Sequence, residues 1–243
     1  MISRFRLPLQ PRTAWSIFGA LALLLMLMWL LPLSVVIWSA GLGSAGLSAR
    51  TVDGTAWSGR MHDAVFKGTR LGDLQVRLSP LDLLFGTARL RLQSLSGGPV
   101  SGEGYAGLAG KGLYNVDARL TLGPGLQSLG LQAAQVTALT ATFNGSGCVE
   151  ASGQATVYIP EGNLARAVGP QMSGPASCVN GTLVFRVTDP AGKGTLAFEF
   201  APTSGQRYTM LLPLSDALDR SALKALGFTE TPVGFRRSGT VPD

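Results

Sequence analysis

Charge is scarce in this chain: Asp, Glu, Lys and Arg together make up 14% of 243 residues, histidine occurs once and cysteine twice. The sole histidine, His62, stands beside Asp63 and supplies neither the ligand cluster of a zinc site nor a specific serine triad, so it reads as a solvated loop residue. Serines are plentiful, yet no Gly-x-Ser-x-Gly elbow falls between a strand and a helix. Nor does a Walker loop or a complete dinucleotide fingerprint occur. The carboxylates Asp73, Asp82, Asp117, Glu150, Glu161 and Glu199 are scattered over separate elements, which assigns no acid and base pair. The net charge of +6 is spread without a basic run or basic-aromatic interleaving, so nothing tracks the phosphates of a nucleic acid. These absences argue against an enzyme and leave no cofactor, metal or small-molecule substrate to expect.

Against that background one stretch stands out. Ala14 to Trp38, AWSIFGALALLLMLMWLLPLSVVIW, carries no charge at all. At about 1.5 Å per residue it is long enough for a transmembrane helix through a hydrocarbon core of about 30 Å. Trp15 and Trp38 lie near its ends, where indoles favour the headgroup level, and Arg12 precedes it. These three residues are the expected membrane interface. Trp29 falls inside, and Pro32 is expected to bend the helix. Arg4, Arg6 and Arg12 face no acidic residue in the arm 1–13, which the positive-inside rule keeps cytoplasmic, so everything beyond the span is exported. A cleaved signal peptide is the rival, with small residues at Ser39-Ala40-Gly41 and Gly43 to Gly46. Its apolar region would run only about 7–15 residues.

Residues 39–49 (SAGLGSAGLSA) read as a flexible tether, and residues 50–243 as one exported domain. Gly reaches 32 of 243 residues, which suits short strands joined by tight turns. Cys148 and Cys178 both lie in the exported part, where an even count favours one disulfide. Two buried thiols or a pair of metal ligands are the alternatives.

Local patterns support a mainly β, antiparallel domain with a few short helices. Thr51 to Arg60 reads as a hairpin turning at Asp53-Gly54 with Trp57 as an apolar anchor. Period-two alternation marks Leu71–Leu78, the segment from Ala88, Tyr114 to Leu122, Val136 to Phe143 and Gly153 to Ile159. It returns in Thr182–Thr188, Gly194 to Ala201 and Arg207 to Leu212, expected as neighbours in one sheet. Ser79-Pro80 caps a short helix ending at Gly86, residues 161–168 suggest another, and Ser215-Asp216 caps a third ending at Gly227. Leu126 to Leu131 is ambiguous. The tail from Phe228 suggests one strand through Val233 to Arg236, fraying from Ser238. Asn144-Gly145 and Asn180-Gly181 fit a glycosylation pattern but read better as hairpin turns.

Several of these segments together resemble the type II secretion system protein N family. They are Gly54-Thr55-Ala56-Trp57-Ser58-Gly59, Leu71-Gly72-Asp73-Leu74, Leu78-Ser79-Pro80-Leu81 and Leu83-Leu84-Phe85-Gly86. Further along come Cys148 with Ala151-Ser152-Gly153, Gly169-Pro170, Ser173-Gly174, and Cys178-Val179-Asn180-Gly181-Thr182-Leu183. Each motif is turn or packing chemistry, and their order and spacing carry the resemblance. It implies a single-pass protein of the Gram-negative inner membrane with a periplasmic β domain. The domain would be a non-enzymatic accessory of type II secretion, touching inner-membrane platform proteins and the secretin. A tether and an exposed strand edge would make those contacts. An AsmA-like lipid-binding or lipid-transfer module is the alternative and requires an apolar groove between strands. An anchored hydrolase would require His62 to meet a serine and a carboxylate in one cleft.

Overall fold

The computed structural model describes residues 46–240, except 67–68, 96–97, 99, 108–109, 123, 128–129, 193, 202–204 and 215–217. Ahead of these it describes residues 29–39 and 43 and the isolated positions 15, 16, 18–20, 22, 23 and 26. Among the described residues one antiparallel sheet of fifteen strands dominates. Its first strands are β1 (Leu47–Ser48), β2 (Thr51–Thr55), β3 (Ser58–Phe66), β4 (Thr69–Leu78) and β5 (Thr87–Ser94). The middle holds β6 (Val100–Gly107), β7 (Gly110–Thr121), β8 (Ala133–Asn144), β9 (Gly147–Tyr158) and β10 (Gln171–Val179). The last are β11 (Thr182–Thr188), β12 (Thr195–Ala201), β13 (Gly205–Leu212), β14 (Thr229–Thr231) and β15 (Gly234–Thr240). From β3 to β13 each strand pairs with its chain neighbours; β15 follows β13, and β14 lies outermost. Among the described residues from Leu33 on, five short helices punctuate the meander: α1 (Leu33–Ser39), α2 (Pro80–Leu84), α3 (Pro124–Gln127), α4 (Asn163–Val168) and α5 (Arg220–Ala225). The mainly antiparallel β class expected from the alternation is therefore what the chain adopts.

The alternating faces of β11, β12 and β13 meet as expected. Phe185 opposes Phe198, Val187 opposes Leu196, and Leu196 opposes Met210. Val187, Leu196 and Met210 are fully buried, and the rings of Phe185 and Phe200 pack edge to face with centroids 5.6 Å apart. This is the centre of the larger core, which extends across β8 to β15 and under α4 and α5. A second, smaller core joins Leu33 of α1 to Met61, Ala64, Leu74 and Val76 of β3 and β4.

Several local expectations change. The first hairpin turns at Ala56-Trp57, and Gly54 lies within β2 at a φ of 88°. The left-handed backbone and the Ser58 carbonyl, 2.6 Å from where a β-carbon would stand, explain the glycine without making it the turn. Tyr114 does not share the face of Val116: Asn115 takes a φ of 47°, the pairing with β8 slips between Leu113 and Val116, and the ring swings outward. Leu113 packs on the core in its place. β10 gave no alternating pattern because Pro175 lacks a donor and lies where its pairing with β11 is interrupted. Leu126 and Leu131, ambiguous as sequence, are both buried, the first on α3. The last helix is capped by Asp219, and the expected cap at Ser215-Asp216 lies outside the described residues. The C-terminal strand continues through Ser238 to Thr240 along β13.

Seven of the 25 residues of the run expected to span a membrane (14, 17, 21, 24, 25, 27 and 28) lie outside the described residues, as does the arm 1–13 with Arg12. Among the described residues no helix is long and apolar enough to cross a membrane. The end of the run is described. Pro32 makes a bridge to Thr55, and α1 then packs Leu33, only 2% exposed, into the smaller core. Part of the expected tether 39–49 is likewise folded, since Leu47 and Ser48 pair with Phe66 and Val65.

Candidate functional site

Two regions leave chemistry unspent. The first is the end of the sheet where the apolar N-terminal run arrives. A ladder of backbone hydrogen bonds ties four segments together there: Ala56 N–H donates to the carbonyl of Leu31 (2.8 Å), Leu78 N–H to that of Ala56 (3.1 Å), and Ser79 N–H to that of Arg89 (3.0 Å). The indole Nε1–H of Trp57 donates to the carbonyl of Trp29 at 3.1 Å. From this end projects α2. Ser79 caps it by accepting from Asp82 N–H, and Pro80 supplies a pre-set first turn. No residue of α2 is buried: Leu81 is 68%, Leu84 74% and Phe85 86% exposed. A five-residue helix that, with its C-cap Phe85, holds three large apolar side chains in solvent is not explained by the core.

Above that turn, one face of the sheet carries arginines. Arg77 on β4 opposes Arg91 on β5, and Arg60 opposes Gln75. By strand alternation Arg60, Arg77, Arg89 and Arg91 share this face, opposite the one that buries Leu74 and Val76. Arg91 Nε binds Glu103 at 2.7 Å, and Arg89 lies 3.6 Å from Asp82. The guanidinium groups of Arg89 and Arg91 are mostly exposed, so these pairs add little stability, and with Asp53 opposite Arg60 and Glu103 opposite Arg91 the face is of mixed charge.

The second region is the far edge. β14 covers β15 only from Gly234 to Arg236. The carbonyls of Gly234 and Arg236 accept from the hydroxyls of Thr231 and Thr229, so these alternate residues direct their backbone outward. Ser238 and Thr240 continue that parity, and no strand covers them on that side among the described residues. Behind this edge two shallow depressions of about 470 and 480 Å³ share Glu199, Thr209 and Arg236, with Arg207 beside the first and Arg186 beside the second.

The residues singled out from sequence fall as follows. Cys148 and Cys178 form a disulfide with Cα atoms 5.5 Å apart, strapping β9 to β10, while Cys148 N–H donates to Gly181. Asn180-Gly181 is a tight hairpin turn with φ values of 49° and 76°, and Asn144 Oδ1 accepts from Ser146 across the other turn. His62 lies 3.5 Å from Asp73 and 3.8 Å from Asp53 on the exposed side of the first hairpin. Asp117 caps the Ala138 bulge by accepting its N–H. Among the described residues no three His, Cys, Asp or Glu side chains converge as metal ligands. Trp15 and Trp38 are exposed, and Trp38 sits on α1 beyond the docked Leu33.

Sequence reasoning missed Leu81, Leu84 and Phe85 as a surface and the Ser238–Thr240 edge as a strand. A signal for the first was present: Leu81, Leu83, Leu84 and Phe85 are too many apolar residues for so short a helix to hide.

A family model described as type II secretion system (T2SS), protein N, matches residues 45–235. No curated protein and no solved structure matches the chain.

Proposed function

The chain belongs to the type II secretion system protein N family, and on that premise we propose that it is a non-enzymatic accessory of that system, acting through protein contacts in the periplasm. In this reading residues 14–31 anchor it in the inner membrane, with the arginine-bearing arm 1–13 in the cytoplasm and the sheet on the other side. Trp29 rather than Trp38 is then the outer-rim indole, because the chain joins the sheet at Leu31 and Pro32. A disulfide between Cys148 and Cys178 suits the oxidising periplasm.

The uncovered edge at Ser238 and Thr240 carries the mechanism. A partner strand laid along it would gain main-chain hydrogen bonds, and Arg186, Arg207 and Arg236 beside it would select acidic side chains. The partners are other type II secretion components, the inner-membrane platform proteins or the secretin.

In-cell photocrosslinking from Thr240 tests this. A type II component should be captured, and Ser238→Pro, which removes an outward donor at an edge position where proline is tolerated, should cut capture at least severalfold. Undiminished capture by a folded Ser238→Pro variant would reject strand pairing. A C-terminal reporter found in the reducing cytoplasm would reject the location.

A further inference from the structure

We infer that α2 is a second membrane contact, dipping Leu81, Leu84 and Phe85 into the boundary between lipid headgroups and acyl chains beside the anchor. This rests on the reading that residues 14–31 lie in the bilayer.

Position comes first. The last residue before Pro32, Leu31, is hydrogen-bonded to Ala56, and Ala56 to Leu78, two residues before α2 begins. These two backbone links fix α2 close to the point where the chain would leave the bilayer. A Gly/Ser tether does not separate the two, because α1 docks Leu33 onto the same sheet. Chemistry comes second. Leu81, Leu84 and Phe85 form one apolar turn with no core beneath it, and Trp57 lies at the same end. An interfacial element of this kind gains by burying apolar area while the basic residues behind it stay at headgroup height. Arg60, Arg77, Arg89 and Arg91, interleaved with Asp53, Asp82 and Glu103, supply a charged rank of that kind, whose guanidinium groups can reach the phosphates of the periplasmic leaflet. A water-facing role would leave the apolar turn unexplained, and an intramolecular lid would need a partner face that the smaller core, already filled by Leu33, does not offer.

The consequence is geometric. One span alone would let the sheet swivel, whereas a span plus α2 gives two attachment points and fixes how the β15 edge is presented.

The test uses the full chain in vesicles of phosphatidylethanolamine and phosphatidylglycerol. Nitroxide labels are placed singly through Leu84→Cys, Phe18→Cys and Val233→Cys, with the native disulfide kept oxidised. Phe18 reports the proposed anchor, and Val233, exposed in the turn before β15, reports water. Collision with oxygen relative to a nickel chelate should be severalfold higher at residue 84 than at 233, approaching the value at 18. A low ratio at 84 with a high one at 18 overturns the second contact and leaves the anchor standing; low ratios at both overturn the two together. In cells, a photocrosslinker at Leu84 should yield lipid adducts, and a single dominant protein adduct would overturn the proposal in favour of a protein partner.

Discussion

Leu33 Cδ2 occupies the space that a β-carbon on Gly59 would need, so the apolar run is keyed into the first hairpin. The Asp53 and Thr55 carbonyls stand 3.0 Å from the same point, leaving no direction in which a methyl could relax. Gly59→Ala should therefore expel Leu33 and destabilise the domain by about 1–3 kcal/mol, the usual range for overpacking. Limited proteolysis should show faster cleavage between residues 33 and 49. Gly145→Ala, where nothing lies within 4 Å, should leave the cleavage rate unchanged.

Burial, not hydrophobicity, should decide the cost of deleting an apolar side chain. Leu196 is wholly buried between Val187 and Met210, so Leu196→Ala should cost about 2–5 kcal/mol in urea unfolding. Phe85→Ser removes a larger side chain that touches no core and should fall within about 0.5 kcal/mol of the parent. A large loss for Phe85→Ser would mean that α2 is a structural element after all.

The disulfide closes a sequence separation of 30 residues. On the chain-entropy account, replacing both Cys148 and Cys178 by alanine should lower stability by roughly 3 kcal/mol. Dithiothreitol should bring the parent down to the double variant and leave the variant unmoved. Equal unfolding midpoints with and without reductant would show that the bridge contributes nothing.

Asp219 caps α5 by accepting from Ser221 Oγ–H at 2.6 Å, Ser221 N–H at 2.8 Å and Ala222 N–H at 3.3 Å. These donors, the Ser221 hydroxyl foremost, hold its carboxyl below the usual aspartate value. A depressed folded pKa stabilises above the unfolded value, and that contribution disappears as pH falls through the folded one. Asp219→Ala should thus lower Tm at pH 7, and its gap from the parent should close as pH falls from about 4 towards 2. A gap independent of pH would show that the charge is not what caps the helix.

Much of the architecture could be read from alternation. Leu183, Phe185 and Val187 against Leu196 and Phe198 place one face of adjacent strands on the core, because a strand shows a side every second residue. Ser79-Pro80 and the Asn180-Gly181 turn were legible for the same reason: their conformations follow from their own covalent structure. Tyr114 was misassigned because a bulge at Asn115 inverts the alternation, and the bulge depends on how β7 meets β8. β10 was missed because Pro175 and Gly174 erase the pattern where neighbouring strands still hold the backbone in place.

The sequence by itself determined a β-rich chain led by an uncharged apolar run, with two cysteines and no catalytic constellation, since composition and period-two patterning are properties of residues near one another. Tertiary structure alone decided that Cys148 reaches Cys178, that the run breaks at Pro32 and docks Leu33 against Gly59, and that Leu81, Leu84 and Phe85 end up without a core while Ser238 and Thr240 face an open edge. Which apolar residue is covered, and which strand is last, depends on what long-range pairing brings alongside it, and no local pattern contains that information.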